Sequence, residues 1–410
     1  MNTENQEKEV TGKSFSAFQK LSNFFKRITT VQHVMPFLCH DNSQEIILTN
    51  PLQKLIHTIE ALQLSRSISV DSQFLGRKRS DRLTLAQCFV AKCILNIPTT
   101  KALIERLTVD ASLRRIVGYE KINDVPNEST FSRAFQEFTK MELFQNIHAT
   151  LIVEHLGDVL LDNLSRDATA IEAREKPDKE RMKALKIAQE EKKKLAAKKK
   201  QTGGKKRSRP SKQDQQAGAT TEVASPAHKQ PNVVVKQRSQ SLPEILSNLA
   251  TVCDIGTKCN AQGFKNSWKG YKLHLDTNAF GVPISAILTS ASVHDSQVAI
   301  PLTLMSKSRV TNLYDLMDAG YCSESLREFS REQGHVPLID HNARRGEKRE
   351  FLDFEAERYK GRSSSERSNG RLKDEFGGRS IRVKGHAKIA CHLMIGVVCL
   401  AVDALMRFAP

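Results

Sequence analysis

Between Trp268 and Ile339 the apolar residues switch repeatedly between two periods, and few folds accommodate that switching. Trp268 to Asp276 alternates residue by residue, Pro283 to Ser290 follows after Asn278-Ala-Phe-Gly281, and the two read as a hairpin. Asp295–Lys307 is compatible with a helix, and Asn312 to Asp318 is an apolar strand ending on an acid. Leu326–Gln333 is again helical, and Val336–Ile339 is a further short strand. Upstream, Asp162 to Ile171 holds another strand, read as ending at Asp167. The order β, ββ, α, β, α, β, then helices, predicts a mixed α/β fold with a mixed sheet flanked by helices.

Before that pattern the signal is helical throughout. Residues 1–45 are polar and mixed and read as a flexible arm, and residues 46–157 as a helical domain. Leu83 to Leu95 is apolar-periodic, Thr99-Thr100 caps a helix ending near Leu107, and Asp110 caps Ala111–Val117 with Gly118 as its stop. Ser129 is expected to precede a helix whose Phe131, Phe135 and Phe138 recur at core spacing. Arg133, Gln136 and Lys140 fall on its other face. Short helices joined by tight turns suit either DNA contact, with Arg133 a candidate, or packing alone.

Charge divides the chain differently. The formal net charge is +17, yet Arg174 to Lys212 alone holds 17 basic and 5 acidic residues. Such concentration points to a polyanion, with nucleic acid the leading candidate. A Lys/Glu/Ala-rich helix to about Lys200 is expected there, followed by a Gly/Ser/Pro/Gln-rich stretch ending near Pro231. Together they read as a basic, partly disordered insert at about 174–240, either a solvated linker or an arm that follows phosphates. It interrupts the mixed α/β domain, read as spanning 158–410.

Several classes fall away. No run of about 18 apolar residues supports a membrane span, and Ile389 to Val402, which contains His392, reads as a buried helix. The N-terminus has no apolar core of a secretory signal. Eight cysteines without a C-x-x-C pair fit a cytosolic protein with reduced thiols, and Cys253, Cys259 and His274 have the wrong spacing for zinc.

Acids at strand ends invite a functional reading, because sites in open α/β sheets form there. Asp167 and Asp318 both qualify, although either can also face solvent or cap a helix. The pair His294-Asp295 reads more simply as a turn or cap. A helix downstream carries Tyr359, Arg362, Glu366 and Lys373 at spacings of three, four and seven. At 100° per residue they share a band about 60° wide. On geometry alone this face is either a surface salt-bridge row or an acid set among phosphate-binding groups.

Tyr359-x2-Arg362-x3-Glu366-x6-Lys373 matches the Y-R-E-K signature of insertion-sequence DDE transposases, and the chain resembles that family elsewhere too. Asp318-Ala-Gly-Tyr321 is similar to the family's second-aspartate motif, and Ser165-Arg-Asp167-Ala-Thr-Ala-Ile-Glu172 to its first. Lys269-Gly-Tyr-Lys-Leu-His-Leu275 and Ala291-Ser-Val-His-Asp295 resemble its connecting motifs. Val125-Pro-Asn-Glu-Ser-Thr-Phe131 sits in a helical region like that of the same elements.

The resemblance implies an RNase H-like catalytic core preceded by an all-α domain. It implies a transposase that cleaves the ends of its element and joins the 3′ ends to target DNA. Asp167, Asp318 and Glu366 would be the catalytic acids, holding two Mg²⁺ or Mn²⁺ ions. Tyr359, Arg362 and Lys373 would contact the DNA backbone near the cut. Arg379, Arg382 and Lys384 form a basic stretch suited to the same strand or to solvation, and Trp268 either stacks on a base or packs at a strand start. The expected partners are the terminal inverted repeats and target DNA, with at least a dimer pairing two ends and no membrane. The expected setting is the bacterial cytoplasm, on the nucleoid through DNA. A metal-dependent nuclease on the same core and a silent, transposase-derived DNA-binding protein are the alternatives.

Overall fold

The computed structural model describes residues 48–68, 80–177, 233–259, 263–341 and 350–408, with scattered positions between 180 and 194. The N-terminal arm and most of the basic insert lie outside the described residues.

Among the described residues, six helices precede the sheet: α1 (Asn50–Leu62), α2 (Arg82–Ile94), α3 (Thr100–Val109), α4 (Ala111–Ile116), α5 (Glu128–Lys140) and α6 (Leu143–Leu156). Their starts follow the capping residues. Asp81 accepts from the Leu83 and Thr84 amides, Thr99 from Ala102 and Asp110 from Leu113. The α5 cap is Asn127, accepting from Thr130, and not Ser129, which lies inside the helix. Asn127 wins because its side-chain oxygen reaches the amide three residues on. The phenylalanine face of α5 is buried as its periodicity requires, with Phe89 of α2 set edge-on to Phe131 at 5.9 Å and to Phe138 at 6.2 Å.

The sheet is built from β1 (Leu160–Glu172), β2 (Asp254–Cys259), β3 (Lys265–Asn278), β4 (Pro283–Ser290), β5 (Thr311–Met317) and β6 (Val336–Ile339). β3 pairs antiparallel with β1 on one side and with β4 on the other, whereas β5 and β6 add in parallel beyond β1. Three antiparallel strands followed by two parallel ones, flanked by helices, is an RNase H-like arrangement.

β2, which pairs with the first half of β3, was not among the expected strands. Gly270 stands where that hairpin meets β1, with φ +149°, and a side chain there would approach the Ile171 carbonyl oxygen to 2.1 Å.

Helices cover both faces. On one lie α12 (Ser363–Asp374) and α13 (His386–Phe408), and their apolar residues share one continuous core with the N-terminal helices and with Leu164, Leu273 and Leu275 of the sheet. On the other lie α7 (Val233–Gln237), α8 (Leu242–Asn248), α9 (Ser296–Lys307) and α10 (Glu324–Glu332).

Two expectations are corrected here. The insert was expected to run to about 240, but residues 233–237 form α7, and its Val234 is buried in one apolar cluster with Ile300 and Phe329. By length and composition α13 does qualify to cross a membrane, since its few polar residues are spread thinly. It is 83% buried as the central core helix, which accounts for its apolar character.

Candidate active site

The site forms where parallel pairing ends. β5 stops at Met317, opposite Arg166 of β1, so Asp167 and Asp318 are the next residues on adjacent strands. Asp167 does not end its strand, as the sequence reading had it. β1 continues to Glu172 because β3 keeps pairing with it as far as Gly270. What ends at Asp167 is the β5 neighbour.

Both carboxyls are held in dehydrated surroundings. Burial pushes Asp167 above the usual carboxylate range, opposed by the Ala168 amide and Arg362 and reinforced by Asp318. Burial likewise raises Asp318, although its Oδ1 accepts from the Gly320 amide at 2.9 Å. Asp295 adds to that rise. A side chain at Gly320 would lie 2.9 Å from Asp318 Oδ1 and 3.7 Å from Asp295 Oδ2, so the two carboxylates flank this glycine. Asp295 itself receives Lys272 Nζ at 2.9 Å, which helps keep it ionised. Its neighbour His294 instead bonds Ser296 Oγ at 2.8 Å.

The helical segment that crosses the site is not one uniform helix. α11 (Asp353–Tyr359) passes through a 3₁₀ turn, Lys360–Arg362, into α12. The hydroxyls of Ser165 and Ser365 meet at 2.8 Å beneath the Arg362 carbonyl and clamp this turn onto β1. Arg362 then reaches both ways. Its Nη1 stands 3.9 Å from Asp167 Oδ1, and its Nη2 donates to Glu366 Oε1. Nη1 is buried and has no hydrogen-bond partner.

Glu366 is 55% exposed and faces Arg362. Among the described residues no three His, Cys, Asp or Glu side chains are gathered closely enough to hold a metal, so Glu366 does not stand together with Asp167 and Asp318 here.

The remaining candidates divide. Tyr359 donates its hydroxyl to the Met317 carbonyl at 3.2 Å and so supports the strand end that presents Asp318. Lys373 is half-buried on α12, its pKa lowered by burial and then by nearby Arg379, with Asp167 close enough to oppose the shift. Arg379 is exposed and pairs with Asp374 at 2.6 Å. Arg382 and Lys384 are exposed beyond it, and Arg133 projects from the open face of α5. Trp268 lies directly across the ladder from Gly256, where a side chain would collide with the indole, and its Nε1 donates to the Tyr271 carbonyl. It packs as a strand residue.

One functional neighbour escaped the sequence reading. Asn369 donates Nδ2 to Asp167 Oδ2 at 3.0 Å. Its position three residues after Glu366 was the available signal, since i and i+3 share a helix face.

Two family models match the chain. Transposase DDE domain matches residues 250–402, and Transposase domain (DUF772) matches residues 41–137. Neither a curated protein nor a solved structure matches it. The first match contains Asp318, Arg362 and Glu366 and the second covers most of the helical region; with the RNase H-like sheet, they make this chain a member of the insertion-sequence DDE transposases.

Proposed function

We propose that this transposase cleaves the ends of its own element and joins the freed 3′ ends to target DNA. Asp167, Asp318 and Glu366 are the residues that would hold two divalent cations. One observation carries this reading: two half-buried carboxyls stand on adjacent strands, each pushed up by dehydration that the nearby Arg362 and Lys258 oppose without cancelling. Paired dehydrated carboxylates are unfavourable unless a cation joins them, and hard oxygen donors suit Mg²⁺ or Mn²⁺. Held by Asp167, Asp318 and Glu366, such ions would supply activation of a water or 3′-OH and charge stabilisation at the leaving oxygen of an in-line displacement.

The chain's own groups supply the rest. Asn369 fixes the orientation of the Asp167 carboxylate, and the Gly320 amide fixes that of Asp318. The Arg362 guanidinium, whose Nη1 carries no hydrogen bond, is a donor for a phosphate oxygen that enters the site, with Lys373 further along the chain on α12 as a point charge. Two ends cut together require at least two copies of the chain.

The test uses the inverted repeats flanking the gene as a labelled duplex end. Mg²⁺-dependent nicking followed by joining to a target plasmid is expected. Cleavage without joining would make the protein a nuclease, and end binding without cleavage would make it a silent binding protein.

A further inference from the structure

Away from the acids, a cleft of about 390 Å³ opens where the helical region meets the end of the chain, between α2, the start of α3, α5 and the turn after α12. Its floor includes Phe135 and Phe376, and its walls carry Lys92, Arg174, Arg382 and Lys388 against a single acid, Glu128. Among the described residues no carboxylate is ion-paired with any of the four cations. Lys92 is half-buried, and its ammonium is drawn below its ordinary value by burial, with Arg382 adding to the effect. Like charges gathered in a partly dehydrated cleft repel one another, and an entering anion relieves both costs.

We propose that this cleft grips the phosphodiester backbone of the DNA strand that passes the acidic site. The inference rests on the transposase reading and adds the place where DNA is held between the helical region and the sheet. Three observations favour a nucleic-acid strand over a small anion. The cations come from both parts of the chain, Lys92 from α2 and the others from the end of β1 and the C-terminal segment. They continue a basic series, because α12 carries Lys373 near Asp167 and leads through Arg379 directly into the turn that bears Arg382. Arg174 on the wall is also the first residue of the segment that concentrates the positive charge of the sequence.

Lysine acetylation of the full-length protein, read by mass spectrometry with and without a short duplex, tests this. Lys92 and Lys388 should lose reactivity several-fold when duplex is bound, while exposed Lys307 on α9 should not. In binding titrations, Lys92→Gln and Lys388→Gln should each make the log–log salt slope shallower by about 0.9, one phosphate contact apiece, at unchanged melting temperature. If Lys92→Gln does not fold, the footprint on the wild type and the Lys388→Gln titration still decide. Duplex binding that leaves both lysines reactive and the slopes unchanged overturns the proposal. So does protection by inorganic phosphate, a nucleoside monophosphate or polyglutamate that duplex fails to reproduce. Failure of the parent reading looks different, because the wild type would then bind no duplex at all.

Discussion

Asn369 of α12 and Asp167 of β1 are 202 residues apart in the chain and joined by one hydrogen bond of 3.0 Å. The bond engages Oδ2 of the carboxylate, while Oδ1 is the oxygen nearest Arg362. The sheet supplies the acid and the helix sets its angle, so chemistry at Asp167 depends on how α12 sits on β1. The Ser165–Ser365 contact, one turn earlier, holds the same two elements together.

Asn369→Ala should therefore slow cleavage while leaving the fold in place. Losing a hydrogen bond to a charged group costs on the order of 1.5–3 kcal/mol, or about 10- to 150-fold in single-turnover rate. Asn369→Asp should be worse, because it sets a second carboxylate against Asp167. A wild-type rate in the alanine variant would show that Asp167 needs no such tether.

The half-buried carboxyls predict a trade between stability and function. Asp167→Asn and Asp318→Asn remove dehydrated charges and should raise the metal-free melting temperature by about 1–2 °C. Mg²⁺ should raise the melting temperature of the wild type and not of either variant. Lower melting temperatures in both variants would mean that the carboxylates support the fold instead.

Arg362→Lys keeps the charge and loses the planar fork that spans Asp167 and Glu366. If the free Nη1 meets a phosphate, single-turnover cleavage of a pre-bound end should fall about 10- to 150-fold. If Arg362 is only a partner for exposed Glu366, the loss should stay below about 1 kcal/mol, roughly fivefold.

The end of the insert makes a sharper test than its middle. Deleting residues 179–232 should leave the melting temperature unchanged, because the sequence there is rich in Lys, Gln, Gly and Ser and poor in large apolar residues that could add to a core. Extending the deletion through Lys236 removes Val234 from its core contacts, and truncating a buried side chain of that size costs on the order of 1–2 kcal/mol. Equal melting temperatures for the two deletions would show that α7 contributes nothing to stability.

Much of this architecture was legible because local signals agreed with the fold. The alternating run at Pro283–Ser290, the helical spacing of Phe131, Phe135 and Phe138, and the caps at Thr99 and Asp110 all act over a few residues. The acids were legible as a set of motifs, but their relation was not. Whether Asp167 ends a strand depends on how far β5 and β3 each pair with β1, a fact held in chain segments more than a hundred residues away. β2 escaped for a related reason, since Asp254–Cys259 has little apolar alternation and is a strand because β3 pairs with it. Glu366 pairs with Arg362 one turn before it, as the spacing implied, yet the 3₁₀ turn between α11 and α12, held by tertiary contacts at Ser165, has no signature in the spacing.

The joint between the helical region and the sheet carries the last prediction. His148 of α6 is fully buried, with Nε2 donating to the Pro283 carbonyl at 2.9 Å and Nδ1 accepting from Arg309 Nη1 at 3.3 Å. Both ring nitrogens are thus committed to a neutral imidazole, and a second proton would point at a guanidinium. Burial, then Arg309, lowers its pKa from 6.5 to about 3. The folded state holds the ring neutral while the unfolded state protonates it near 6.5, so its contribution is complete above that pH and erodes as the pH falls toward 3. One such histidine weakens folding by about 1.4 kcal/mol per pH unit in that window. Burial depresses His274 and His392 as well, so the whole protein should lose stability more steeply than one group requires. His148→Gln can keep both bonds and has no proton to gain. It should be slightly less stable than wild type at pH 7.5 and should close that gap, or reverse it, by pH 5. Urea unfolding at the two pH values measures this. A gap that stays constant would mean that His148 charges in the folded state without penalty, and that the joint gives way to accommodate it.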